Sequence, residues 1–203
     1  MTGVQTCALP ISLFKHDDEW SFGRILRKIE DEVGRLKERH PVKHYRNTYS
    51  EPYLPPSWVM SECVTFGFWS RTYKVLQDPA HKRAIARKFG VNQPEVFESW
   101  LHCVTYLRNL VAHHGQLLGT QLRIAPQNYK GTAKHGKPPS VSLHLGADTK
   151  SLHAAAKMMN FLVKRTRLPC TFKSDLALLF AAYPPDFANS LGFRPGWETH
   201  SDW

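Results

Sequence analysis

Hydrophobic side chains recur every three or four positions along several stretches of the chain, and that spacing predicts helices. From Glu19 to Arg39, Phe22, Ile25, Leu26, Ile29, Val33 and Leu36 alternate with charged residues, the pattern of a helix with one buried face. His40-Pro41 is expected to end it, because a residue before proline is pushed out of the helical region. Val42 to Pro56 holds Tyr45, Tyr49 and Tyr53 between prolines and reads as an ordered loop. Ser57 is a suitable N-cap for a helix from Trp58 to about Gln77. That helix is apolar on most sides and is expected to be central and buried. Pro79 to Phe89 reads as a short basic helix closed by Gly90.

Asn92 and Pro94 open the next predicted helix, with Phe97, Trp100, Leu101, Val104, Leu107 and Val111 as its buried stripe and Gly115 as its stop. Gln121 to Gly146 is rich in proline and glycine and reads as a long basic loop, with an alternating piece at Ser140 to Leu145 that suits a small hairpin. Asp148 is placed to cap a helix from Thr149 to Arg167, with Leu152, Ala155, Ala156, Met159, Leu162 and Val163 inward. A further helix is expected over Phe172 to Ala182, ended by Pro184-Pro185. The aromatic tail from Leu191 to Trp203 is expected to pack in order. The class is all-α.

Charge changes the picture. The 203 residues carry 27 Lys and Arg against 17 Asp and Glu, a formal net charge of +10. Such an excess favours an anionic partner, nucleic acid first. No run is long and apolar enough for a membrane span, and no helix is basic on one face and apolar on the other, so a membrane partner is not expected. Cys7, Cys63, Cys103 and Cys170 have no paired spacing and read as small apolar residues in a reducing cytoplasm, not as a disulfide or zinc framework. Met1 to Ser12 lacks both helical period and charge. It reads as a non-native, adapter-derived segment ahead of a single domain over 13–203 whose N-terminal part is missing.

The candidate chemistry lies at Leu107-Arg108-Asn109-Leu110-Val111-Ala112-His113-His114-Gly115, on the last turns of a helix. A guanidinium and one or two imidazoles can hold and cut an RNA phosphodiester without metal or other cofactor. RNA brings its own nucleophile, the 2′-OH. Arg108 suits the phosphate. Imidazole titrates near neutral pH, which suits His113 to general acid–base work. Asn109, four residues before His113, shares its helical face and can orient the ring or bind backbone. His114 is a second proton carrier or a structural donor. Lys82, Arg83, Arg87 and Lys88, with Arg123 and Lys130, are candidate RNA contacts. The bland reading stays open beside this one. Arg108 can pair with Glu95 or Glu98, the histidines can serve the helix end, and the basic helix can be a solvated face.

Pro55-Pro56-Ser57-Trp58, Thr65-Phe66-Gly67, Trp100-Leu101-His102, Arg108-Asn109 with Ala112-His113-His114, and Leu191-Gly192-Phe193 with Trp197 and Trp203 resemble the Abi family of abortive-infection bacteriophage resistance proteins. That family in turn resembles the HEPN superfamily of helical RNases, whose motif is Arg, four to six residues, then His. The resemblance implies a helical bundle, an endoribonuclease acting as a toxin in phage defence, a homodimer with a composite active site, and an antitoxin RNA or protein as a further partner. Gly115-Gln116 stands where many relatives have a basic residue. The alternative is a non-catalytic module that binds RNA or a phage protein. A third reading is an interaction scaffold docking through its tail aromatics.

Overall fold

The computed structural model describes residues 21–117, 119–131, 142–166, 169–200 and 203. The chain falls into two compact units, Met1–Pro79 and Ala80–Trp203. The fold is all-α: nine α-helices lie among the described residues, and extended pairing there is limited to one antiparallel bridge, Tyr129 with Leu143.

The first unit holds α1 (Phe22–Arg35), α2 (His40–Thr48), α3 (Ser57–Cys63) and α4 (Phe66–Val75). The α1 stripe behaves as its spacing predicts, with Ile25, Ile29 and Val33 buried. The Val42–Pro56 stretch departs from expectation, because a helix begins at His40. Pro41 occupies the first turn, where its missing N–H costs nothing and its fixed φ suits the helix. Proline therefore opens α2 here and does not close α1, which has already ended at Arg35, short of the expected Arg39. The long apolar helix expected from Trp58 to Gln77 is two helices. Thr65 takes an extended conformation between them, and its hydroxyl accepts the Phe68 N–H at 3.2 Å. Nor is the pair buried all round: Phe68, Tyr73 and Val75 are inside, but Trp58 is 67% exposed.

The second unit is built on α5 (Pro79–Lys88), α6 (Pro94–Ala112), α7 (Leu152–Arg165), α8 (Phe172–Ala181) and α9 (Pro185–Ser190). Helix α6 packs on α7, and α8 packs on α9. The N-cap of α7 is Ser151, not Asp148; its Oγ accepts the Ala154 N–H at 3.2 Å. Pro184-Pro185 ends α8 and at once starts α9. The tail packs as expected: Leu191, Phe193, Trp197 and Trp203 form a core cluster with Ala156 and Phe180. Rings there meet edge-on, as at Phe180–Phe193 with centroids 4.7 Å apart.

Cys63 and Cys103 are buried free thiols as expected, whereas Cys170 is exposed. Burial pushes the Cys103 thiol up to about 12. The segment 1–12 and residues 132–141, which include the first two positions of the expected alternating piece Ser140 to Leu145, lie outside the described residues; the rest of that piece supplies Leu143 to the bridge with Tyr129. No helix among the described residues is long and apolar enough to cross a membrane.

Candidate functional site at the end of helix α6

Helix α6 is held in place by its aromatic face. Trp100 is fully buried, and its indole N–H donates to the Gln127 carbonyl at 2.8 Å. The same ring meets Tyr129 and Phe161 edge-on, at centroid distances of 6.1 and 5.4 Å. Tyr129 is tied in turn by the bridge to Leu143 and by its hydroxyl, which accepts the Asn92 N–H at 3.2 Å. Val96, Phe97, Cys103 and Leu107 complete the buried stripe. Leu101 and Val104, expected inside, are only half-buried, and Val111 is 57% exposed. The anchored stripe thus fixes the rotation of α6. With Leu107 inward, Arg108 and Asn109 face solvent on the next step around the helix.

The helix ends in a defined hydrogen-bond pattern. His113 is the last, half-helical residue, and its N–H donates to Asn109 O at 3.0 Å. His114 N–H donates to Val111 O at 3.0 Å, and Gly115 N–H donates to Leu110 O at 2.7 Å. This pair of reversed bonds is the Schellman arrangement, which satisfies the final carbonyls of a helix. It needs a left-handed residue, usually glycine. Here His114 fills that position with φ 55°, the one non-glycine residue of positive φ among those described.

Gly115 is needed for a different reason. A Cβ there would lie 2.2 Å from Leu110 Cδ1 and 2.9 Å from Leu110 O. Gly115 ends the run as expected from the sequence, but the histidine before it makes the turn. Leu110, five residues upstream, was the available signal, since a hydrophobic residue commonly sits at that position of a Schellman end.

All four candidate catalytic residues, Arg108, Asn109, His113 and His114, are exposed at this end of α6. Arg108 Nη1 donates to Asn109 Oδ1 at 3.1 Å. The asparagine side chain therefore holds the guanidinium and not the imidazole, one of the two roles expected for it; its main-chain carbonyl accepts from His113. The bland pairing of Arg108 with Glu98 is not what is observed, because Glu98 Oε2 lies 3.1 Å from Lys82 Nζ. That ion pair is mostly covered, with 15% of the lysine side chain exposed. Arg83, Arg87 and Lys88 on α5 are exposed, as are Arg123 and Lys130 in the loop after α6. That loop is fastened just before Arg123 by buried Leu122, whose N–H donates to Lys150 O at 2.9 Å, and between the two cations by buried Pro126. Among the described residues no group of three His, Cys, Asp or Glu is placed to hold a metal.

A family model described as Abi-like protein matches residues 9–119. The chain belongs to that family. The match contains Arg108, Asn109, His113 and His114; it begins within the 1–12 segment and stops before the tail motifs around Leu191-Gly192-Phe193. No curated protein and no solved structure matches the chain. Family membership supports abortive-infection phage defence as its role.

Proposed function

We propose that the chain is a metal-independent endoribonuclease of the HEPN type that acts in phage defence by cutting RNA. The observation that carries this reading is the joint exposure of Arg108, His113 and His114 at the end of a helix whose other face is locked into the core. In the reaction, the 2′-OH oxygen attacks the adjacent phosphorus and the bond to the 5′ oxygen breaks. The products are a 2′,3′-cyclic phosphate and a 5′-OH. One imidazole takes the proton from the 2′-OH, and another acid returns a proton to the leaving oxygen. His113 and His114 suit these roles. Arg108, braced by Asn109, places its forked donors against the nonbridging oxygens as negative charge develops.

Arg108 and His113 are five residues apart, about 140° around an ideal helix. One helix does not point both heads at one linkage. A second copy related by a two-fold axis would bring Arg108 of one protomer towards His113 of the other, and the reading therefore includes a composite site in a homodimer. Exposed Arg83, Arg87 and Lys88, with Arg123 and Lys130, would hold RNA backbone by charge. They also favour the second reading, an RNA-binding module without catalysis.

Incubation of the purified full chain with RNA in excess EDTA separates the two. Cleavage that leaves cyclic phosphate ends and is lost in His113→Ala and Arg108→Ala supports the nuclease. Salt-sensitive RNA binding with no cleavage, unchanged by His113→Ala, rejects it in favour of the binding module.

A further inference from the structure

The second unit contains a cleft of about 660 Å³ that the nuclease reading does not use. It opens where α7 begins. Ser151, the N-cap, lies on its wall, and His153 follows in the first turn; the His153 ring accepts the Trp203 indole N–H at 3.3 Å. Lys157, one turn further along, is only 8% exposed, and its ammonium donates to the His144 carbonyl at 2.7 Å. The tail contributes Arg194 and His200 to the lining, both exposed. The tail is not loose there, because Phe193, Trp197 and Trp203 on either side are buried at 1%, 6% and 4% exposure.

The wall therefore carries two permanent cations and two imidazoles. Asp148 is the carboxylate on it, and its Oδ1 accepts the Lys150 N–H at 2.9 Å. An anion entering the cleft meets an ammonium already stripped of most of its water, where attraction is stronger than at an open surface. The start of a 14-residue helix adds its positive end on the same side. Leu145, Trp197 and Trp203 give the wall an apolar part, and Asn189 adds a neutral polar side chain. A cleft in the size range of small-molecule sites, lined by both cationic and apolar side chains, suits a ligand with a charged head and a flat or greasy body.

We propose that this cleft binds a small organic phosphate of nucleotide size. Lys157 and Arg194 hold the phosphate, the imidazoles of His153 and His200 flank it, and the body rests on the apolar wall. A phosphate dianion matches two permanent cations, and the arginine fork fits its oxygens. The inference does not depend on RNA cleavage.

Isothermal titration of the full chain with ADP, inorganic pyrophosphate and adenosine tests it. ADP is expected to bind more tightly than pyrophosphate, and adenosine weakly or not at all. Arg194→Glu and His200→Glu, both at exposed positions, should each weaken ADP binding by about tenfold or more. Arg27→Glu, the same charge change on α1, should leave it unmoved. The proposal is overturned if neither ADP nor pyrophosphate binds, or if adenosine binds as well as ADP. It is equally overturned if Arg27→Glu weakens ADP as much as Arg194→Glu does. Binding of an RNA oligonucleotide that depends on Arg194, with no binding of free ADP, would also reject it and assign the cleft to RNA.

Discussion

Glycine in place of His114 removes an imidazole and a strained dihedral in one change, and the two effects push stability and activity in opposite directions. His114 sits at φ 55° with its side chain exposed, so the substitution sacrifices no buried contact. A left-handed non-glycine residue costs roughly 1–2 kcal/mol, and histidine, which visits that region more often than most, belongs at the lower end. Glycine is freer in the unfolded chain, which takes back roughly 0.5–1 kcal/mol. The net is a gain of about 0.5 kcal/mol, or roughly 1–2 °C in Tm for a chain of this size. The Schellman bonds of His114 and Gly115 are backbone bonds and should survive. If His114 carries a proton in the reaction, cleavage should fall by roughly 100-fold. Scanning calorimetry and the EDTA cleavage assay read the two effects on one preparation. His114→Asn tolerates the same φ without an imidazole, so it should lose activity with Tm nearly unchanged. A Tm several degrees lower in His114→Gly would refute the strain argument, and unchanged cleavage would remove His114 from the chemistry.

Gly115→Ala should act in the other direction. The added Cβ meets the Leu110 carbonyl that the Gly115 N–H itself uses, so a hydrogen bond and a tight turn both suffer, for a loss of about 2 kcal/mol. A thermal melt that barely shifts would show that the Leu110 side chain absorbs the clash. Trp100→Phe deletes the donor to Gln127 O and leaves that carbonyl without it; urea unfolding should show a loss of roughly 1–3 kcal/mol, and an unchanged midpoint would mean α6 is not anchored there. Burial raises the Cys103 thiol from 9.0 to about 12, so folding favours its neutral form. Its contribution is whole below pH 9.0 and is lost as pH rises towards 12. Stability of Cys103→Ala should therefore fall less steeply than that of the parent across this window, and equal slopes would contradict the assignment.

Elements are legible in this sequence where local signals agree with tertiary packing. The stripe of α1 and the core residues Phe97, Trp100 and Leu107 were legible because amphipathic periodicity and burial coincide there; α8 was legible only as a helix, with Phe180 buried while Leu178 and Leu179 stay exposed. The α3–α4 break was not, because Val64-Thr65 interrupts no hydrophobic pattern; only the hydroxyl of Thr65, reaching the Phe68 N–H, marks it. Helices α2 and α9 were hidden by prolines, which end one helix and start the next with equal ease. Lys82 looked like its neighbours on α5, yet one of four similar cations finds Glu98, sixteen residues away, and the sequence does not say which.

Spacing placed Arg108, His113 and His114 near one helix end, but where each points is decided by two things that spacing does not contain. One is the rotation of α6, set by Trp100 against Tyr129 and Phe161. The other is the left-handed turn at His114, which swings that imidazole off the helical path while His113 stays on it. Adjacent histidines on a continuing helix would diverge by about 100°. A residue of positive φ between them and the loop gives the second ring a direction that no helical wheel predicts, and backbone strain of this kind persists where the surrounding structure enforces it. Leu110 enforces it here, by accepting the Gly115 N–H and leaving no room for a Cβ beside it.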